Sequence, residues 1–234
     1  MLNVLITGTS KGIGRATAIK FLNAGYRVYG IDRLESTIDS GLYNNCYYHF
    51  VMDVADKKAI EELAKSDRVP EMNIVINNAG IQLSETGYDV IDVNLRGTIN
   101  VTESFAFQPQ IRSVVMIASV SGSTGSEFPE YVASKGGMIA YMRNVAIRLP
   151  KKGYRATCNS LSFGGVTTEL NAPVLEDKKL WKEIMNVTPL KKWMSAEESA
   201  EWIYFISAVN TFCSGEDIII DGGESKLNQN FVWP

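Results

Sequence analysis

Tyr131 and Lys135 stand four residues apart in Tyr131-Val132-Ala133-Ser134-Lys135. On a helix this spacing sets both side chains on one face, one turn apart. A free phenol has a pKa of about 10, too high for an efficient base near neutrality. A neighbouring ammonium stabilises the phenolate, so Lys135 is expected to lower that value and make Tyr131 a proton donor and acceptor. Such a pair is a weak motif by itself. Twelve residues upstream, however, Ser119 follows the apolar run 114–118. A hydroxyl at the carboxyl end of a buried strand faces the crevice where α/β sheets bind ligands. There it can hydrogen-bond a carbonyl oxygen as charge develops on it. Ser121 is a rival for that role, ranked below Ser119, and a turn-capping serine is the plainer alternative.

A second chemical feature lies near the N-terminus, in Thr7-Gly8-Thr9-Ser10-Lys11-Gly12-Ile13-Gly14. Gly8 permits a tight turn, Gly12 lets the backbone approach a pyrophosphate, and Gly14 allows a helix to pack closely on a strand. The following helix aims its first amides at the phosphates. With Ser10, Lys11 and Ile13 between the glycines, this loop is read as a dinucleotide cradle. Asp32 closes the second apolar run, about twenty residues on. A carboxylate there accepts hydrogen bonds from the ribose hydroxyls and repels a 2′-phosphate, which points to NAD. Lys11 and Arg33 pull toward NADP, since either cation can pair with that phosphate.

Elements must hold these groups together. Continuous apolar runs at 3–7, 27–31, 47–52, 73–77, 113–118, 156–161 and 217–220 read as strands buried on both faces. Segments of helical periodicity at 14–24, 57–65, 90–105, 131–149 and 196–209 alternate with them. That alternation predicts a layered α/β domain with a parallel sheet of about seven strands and right-handed crossovers. No linker or repeat divides residues 1–234, so one domain is expected. The least regular stretch, 168–195, is read as a substrate flap, with Leu170, Leu175, Trp181, Ile184 and Met185 as its apolar side chains. The apolar tail 231–234 is expected to dock on a neighbouring surface.

Composition narrows the function classes. Of 234 residues, 45% are hydrophobic and 21% charged, enough apolar material for a sizeable core and too much for a solvated coil. Twenty-three basic against 26 acidic residues give a net charge of −3, which implies no basic face for nucleic acid. No run approaches the ~20 apolar residues of a membrane span. The N-terminus lacks the basic flank of a secretory signal, so a cytoplasmic location is expected. Cys46, Cys158 and Cys213 are odd in number and far apart, read as free thiols. His49 is the single histidine, which leaves no His-based triad and no His-rich metal site.

Taken in order along the chain, the motifs resemble those of the short-chain dehydrogenase/reductase family, from residue 1 to about 225. They are the glycine loop, Asp53-Val54, Asn77-Asn78-Ala79-Gly80, Asn94, Ser119, Tyr131 with Lys135, Asn159 with Gly164 and Thr168, and Asp221-Gly222-Gly223. The resemblance implies a Rossmann-like, three-layer, doubly wound parallel sheet. It also implies oxidoreduction between a secondary alcohol and a ketone with NAD or NADP. In that family the tyrosine is the general acid/base, the serine holds the substrate oxygen and the lysine binds the nicotinamide ribose. These roles fall on Tyr131, Ser119 and Lys135, and Asn94 takes a place in a proton relay through water. The resemblance further implies that Asp53 and Val54 contact adenine and that Asn78, Ala79 and Gly80 form the cofactor floor. Val166 and Thr168 would hold the carboxamide, and Gly164 is counted with the cofactor-binding residues. It implies a small-molecule substrate and a homo-oligomer, dimer or tetramer. Reduction of a 3-oxoacyl thioester with NADPH, or an idle nucleotide-binding sensor, are the alternatives. The chain departs from the family where Phe163-Gly164 replaces the usual Pro-Gly and where Asn94 follows Asn77 by only seventeen positions.

Overall fold

The computed structural model describes residues 1–43, 45–84 and 89–227. The expectation for the tail 231–234 lies outside the described residues. In chain order the elements begin with β1 (Asn3–Thr7), α1 (Gly12–Asn23), β2 (Arg27–Asp32), β3 (Tyr47–Val51), α2 (Lys57–Lys65) and β4 (Ile74–Asn77). A π-helical turn, Asp92–Arg96, leads into α3 (Gly97–Phe105), followed by β5 (Ser113–Ile117), α4 (Ser121–Thr124), α5 (Pro129–Lys151) and β6 (Thr157–Phe163). Then come β7 (Val166–Thr167), a 3-10 turn at Glu169–Asn171, α6 (Ala172–Glu176), α7 (Lys178–Val187) and β8 (Met194–Ser195). The series ends with α8 (Ala196–Tyr204), a second π-helical turn at Phe205–Val209, and β9 (Asp217–Ile220).

Seven strands form one parallel sheet in the order β3-β2-β1-β4-β5-β6-β9. Successive residues of one strand serve opposite faces. Val4 and Ile6 pack with Ala18 and Phe21 of α1 and Ile203 of α8. Leu5, between them, joins Ile60 of α2, Phe105 of α3, and Met138 and Met142 of α5. This explains why the strands read as unbroken apolar runs: both pleated faces are covered by helices. Strand order reverses between β1 and β4, where the crossovers depart to opposite sides and leave a crevice at the strands' carboxyl ends.

Two expected helices are divided. The segment 90–105 opens with the π-helical turn before α3, and 196–209 ends in another. The stretch read as irregular, 168–195, is largely helical, with α6 and α7 joined at Asp177. The Asp177 side chain accepts from the backbone N–H groups of Lys179 and Leu180 and so caps α7. Leu180 and Val187 of α7 are exposed, while Trp181, Ile184 and Met185 form a half-buried stripe on one side of the helix.

Candidate active site

A cavity of about 580 Å³ runs along the carboxyl ends of β1, β2, β4, β5 and β6. Its lining includes Gly8, Lys11, Gly12, Ile13, Asp32, Arg33, Asp53 and Val54. Asn78, Ala79, Gly80, Gly164, Val166 and Thr168 line it as well, as do Ser119, Tyr131 and Lys135. Ser10, Gly14 and Asn94, also expected at the site, are brought beneath this surface rather than onto it.

Each of the three has a packing reason. Gly8 takes a left-handed backbone, φ 76°, which turns its carbonyl under the first turn of α1. A Cβ on Gly14 would stand 1.9 Å from that oxygen, so position 14 tolerates hydrogen alone. Asn78 Nδ2 donates to the carbonyls of Thr7 and Gly8, and Thr7 Oγ1 accepts from the backbone N–H groups of Asn78 and Ala79. The loop and the end of β4 are thereby locked together. Ser10 turns its hydroxyl to the Leu34 carbonyl at 3.1 Å, while its backbone N–H donates to Asp32 Oδ2 at 2.8 Å. Asp32 Oδ1 accepts from the Leu34 N–H at 3.0 Å, so the carboxylate expected at the ribose also braces two loops.

Asn94 is fully buried in the π-helical turn. Its Oδ1 accepts from the Ile81 N–H at 2.8 Å, and its Nδ2 donates to the Ile81 carbonyl at 2.9 Å and to Ser134 Oγ at 3.1 Å. The side chain thus fastens the loop after β4 to α5. The wider π turn admits it inward; such turns recur at functional sites.

The fit to a dinucleotide rests on the cradle. The N-terminus of α1 has no side-chain cap and no acidic residue in its first turn, whereas α2, α7 and α8 are capped by Asp56, Asp177 and Ser195. Its unpaired amides open onto the glycine loop, where an anionic phosphate satisfies them. Among the described residues there is no cluster of metal-ligating side chains.

The chemistry at Tyr131 differs from the sequence expectation. Burial, and then the Glu127 carboxylate, push the phenol up to about 12, against the pull of a hydrogen bond with Ser119. Burial brings Lys135 down to about 8, opposed by Glu127. Lys135 donates to the Ile117 carbonyl at 2.7 Å, and its Nζ lies 5.6 Å from the Tyr131 ring centroid. The ammonium was expected to lower the phenol. Instead, burial and Glu127 outweigh any such effect, and the phenol stays protonated near neutrality, with the Lys135 ammonium one helical turn away.

Sequence reasoning missed several residues of the site. Glu127 lines the cavity and acts on Tyr131, and Gln82, Trp193, Val174 and Glu224 also line it. Glu127 sits in a loop at φ 81°, and no periodic signal announces such a position. Of the apolar flap residues, Leu170 and Ile184 line the cavity, whereas Leu175, Trp181 and Met185 do not. Trp181 instead meets Trp193 edge-on, centroids 5.1 Å apart. The Trp193 indole lies flat against the backbone at Gly165, where a Cβ would fall 2.0 Å from Cε2.

A doubly wound sheet with a phosphate cradle at its switch point, and a tyrosine, serine and lysine over the same crevice, define a nicotinamide-dependent oxidoreductase of alcohol and carbonyl groups. The chain belongs to the short-chain dehydrogenase family, whose model, described as short chain dehydrogenase, matches residues 2–179. It is 30% identical to the 3-oxoacyl-acyl-carrier-protein reductase of Thermotoga maritima, covering 94% of this chain and 96% of that one. It is 29% identical to the L-rhamnose 1-dehydrogenase of a Sphingomonas species, over 94% of each. Among solved structures, a 4-hydroxyisoleucine dehydrogenase complexed with NADH superposes with a TM-score of 0.85 at 27% identity, over 97% of this chain and all of the other.

Proposed function

We propose that this enzyme interconverts a secondary alcohol and a ketone with NAD in preference to NADP, using Tyr131 as general acid/base. The observation that carries the reading is that Tyr131, Ser119 and Lys135 face the same cavity as the glycine loop and Asp32. In oxidation Tyr131 Oη takes the alcohol proton, Ser119 holds the substrate oxygen, and the carbon-bound hydrogen leaves as hydride. When bound, an oxidised nicotinamide supplies the hydride acceptor and a positive charge beside the phenol. Lys135 holds the nicotinamide ribose, and Asn94 is a positioning residue that fixes Ile81 and Ser134 around it. The partly buried, protonated Tyr131 is ready as it stands to donate a proton in reduction. The preference for NAD is supported by the fixed carboxylate of Asp32 at the end of β2.

Replacing Tyr131 by Phe is expected to lower kcat by about 10²–10⁴. NADH binding, followed by fluorescence titration, should stay within about twofold. A variant that keeps near-normal rates on every substrate would falsify the assignment. Titration with NADPH tests the cofactor preference: tighter binding of NADPH than NADH reverses it.

A second reading, reduction of a 3-oxoacyl thioester, draws on the 30% identity to a reductase of that substrate. The protein acts as a homo-oligomer, a reading supported by Phe205, Val209 and Phe212, all exposed and close in sequence to the edge strand β9. Light scattering after size exclusion measures this directly. Work in a reducing cytoplasm accords with Cys46, Cys158 and Cys213, all free thiols.

A further inference from the structure

Glu127 holds a left-handed backbone, φ 81°, that L residues other than Asn and Asp seldom adopt. Strain of this kind persists where the surroundings impose it, and it collects at ligand-binding positions. Here it stations a carboxylate on the cavity wall. Glu127 Oε2 accepts from Gln82 Nε2 at 3.5 Å, and the carboxylate is hydrogen-bonded with Ser121. Ser121 Oγ in turn accepts from Ser119 Oγ at 3.2 Å. A chain of polar groups therefore runs from the substrate-holding serine to Glu127 and Gln82.

We propose that Glu127, with Gln82 and Ser121, is a specificity-determining subsite that reads substrate hydroxyls, and that the substrate is an uncharged polyhydroxy compound, a sugar or polyol. This deepens, and rests on, the oxidoreductase reading of the same cavity. A substrate seated on Tyr131 covers Glu127 and removes its water. A covered carboxylate is costly unless donors replace that water. Hydroxyls supply them, whereas an alkyl chain or an acyl thioester does not. An anionic substrate seated on Tyr131 is repelled by the Glu127 carboxylate. An ammonium group fits less well than a hydroxyl, because it cannot accept from Gln82 and it approaches the Lys135 cation. The cavity also offers Leu170, Val174 and Trp193, an apolar surface for the C–H face of a sugar.

The test is a panel assayed by NADH formation or consumption: an aldohexose, a pentitol, 2-octanol, 3-hydroxybutyrate, 1-amino-2-propanol and a 3-oxobutyryl thioester. The aldohexose or the pentitol should show the highest kcat/KM. In Glu127→Gly, which suits the left-handed backbone, KM for that compound should rise about tenfold to a hundredfold. Its preference over 2-octanol should fall by a similar factor. Glu127→Gln, which keeps an acceptor, should lie between wild type and Glu127→Gly. Turnover that is best with the alkanol, hydroxy acid, amino alcohol or thioester overturns the proposal and leaves the oxidoreductase reading standing. So does an unchanged KM in Glu127→Gly. Absence of turnover with every compound likewise overturns the proposal, while the oxidoreductase reading is judged separately by NADH binding and the Tyr131→Phe variant.

Discussion

At the scale of single residues, the main tension is the lysine at the bottom of the site. Lys135 is buried with its Nζ on the Ile117 carbonyl, and its pKa is brought down to about 8. An unfolded lysine titrates near 10.4. Between these values the unfolded chain binds the proton and the folded one does not, so stability rises with pH over that window. Below about pH 8 the cost of the buried ammonium is present in full. In Lys135→Met that dependence is absent. Urea melts should show wild type gaining on the variant by about 2 kcal/mol from pH 7 to pH 10. A constant difference would show that the ammonium is not desolvated as described. Tyr131 acts with the opposite sign at higher pH: its folded value, about 12, exceeds its unfolded one, so it costs stability above about pH 10. The one-turn spacing of Tyr131 and Lys135 was legible in the sequence; the order in which they lose protons was not. That order depends on burial, which spacing does not encode.

At the scale of elements, the strands were legible to within about two residues at either end because helices cover both faces and leave no alternation to blur them. The helical breaks were not. A single five-residue π-helical turn is too short to disturb the apolar spacing around it, so Asp92–Arg96 read as part of one continuous helix. The flap read as irregular because Pro173, Pro189 and mixed charged and aromatic residues interrupt it, although Trp181, Ile184 and Met185 give α7 a one-sided apolar stripe. What holds it in place is Trp193 against Gly165, with Trp181 of α7 against Trp193. Gly165→Ala drives a methyl into the indole, a clash that typically costs about 1–3 kcal/mol. Limited trypsin digestion should then cut faster at Lys178, Lys179 and Lys182 of α7, with cleavage elsewhere unchanged. Digestion at the wild-type rate would mean that the indole is not the anchor.

At the scale of the whole molecule, both helical layers meet at the crevice where strand order reverses, and the nucleotide cradle is built from both halves of the sheet. Thr7 and Gly8 come from the β1 side, Asn78 from the end of β4. A cofactor bound there stabilises the native state against unfolding. At a hundredfold excess over Kd, NADH should add about 2.7 kcal/mol. For a chain of this size that is a rise in Tm of roughly 5–10 °C, readable by differential scanning fluorimetry. NADPH at the same concentration should give a smaller rise, and equal rises would remove Asp32 as a discriminator. This doubly wound arrangement was legible from the alternation of strands and helices. Which loop residues would face the cavity was not, because Ser10, Gly14 and Asn94 lie one layer below the residues beside them. The contact between Gly165 and Trp193 carries a consequence for how such chains diverge. A larger residue at 165 can be accepted only after position 193 has lost its indole, so across related chains the two positions should vary as a pair, with one small whenever the other is large.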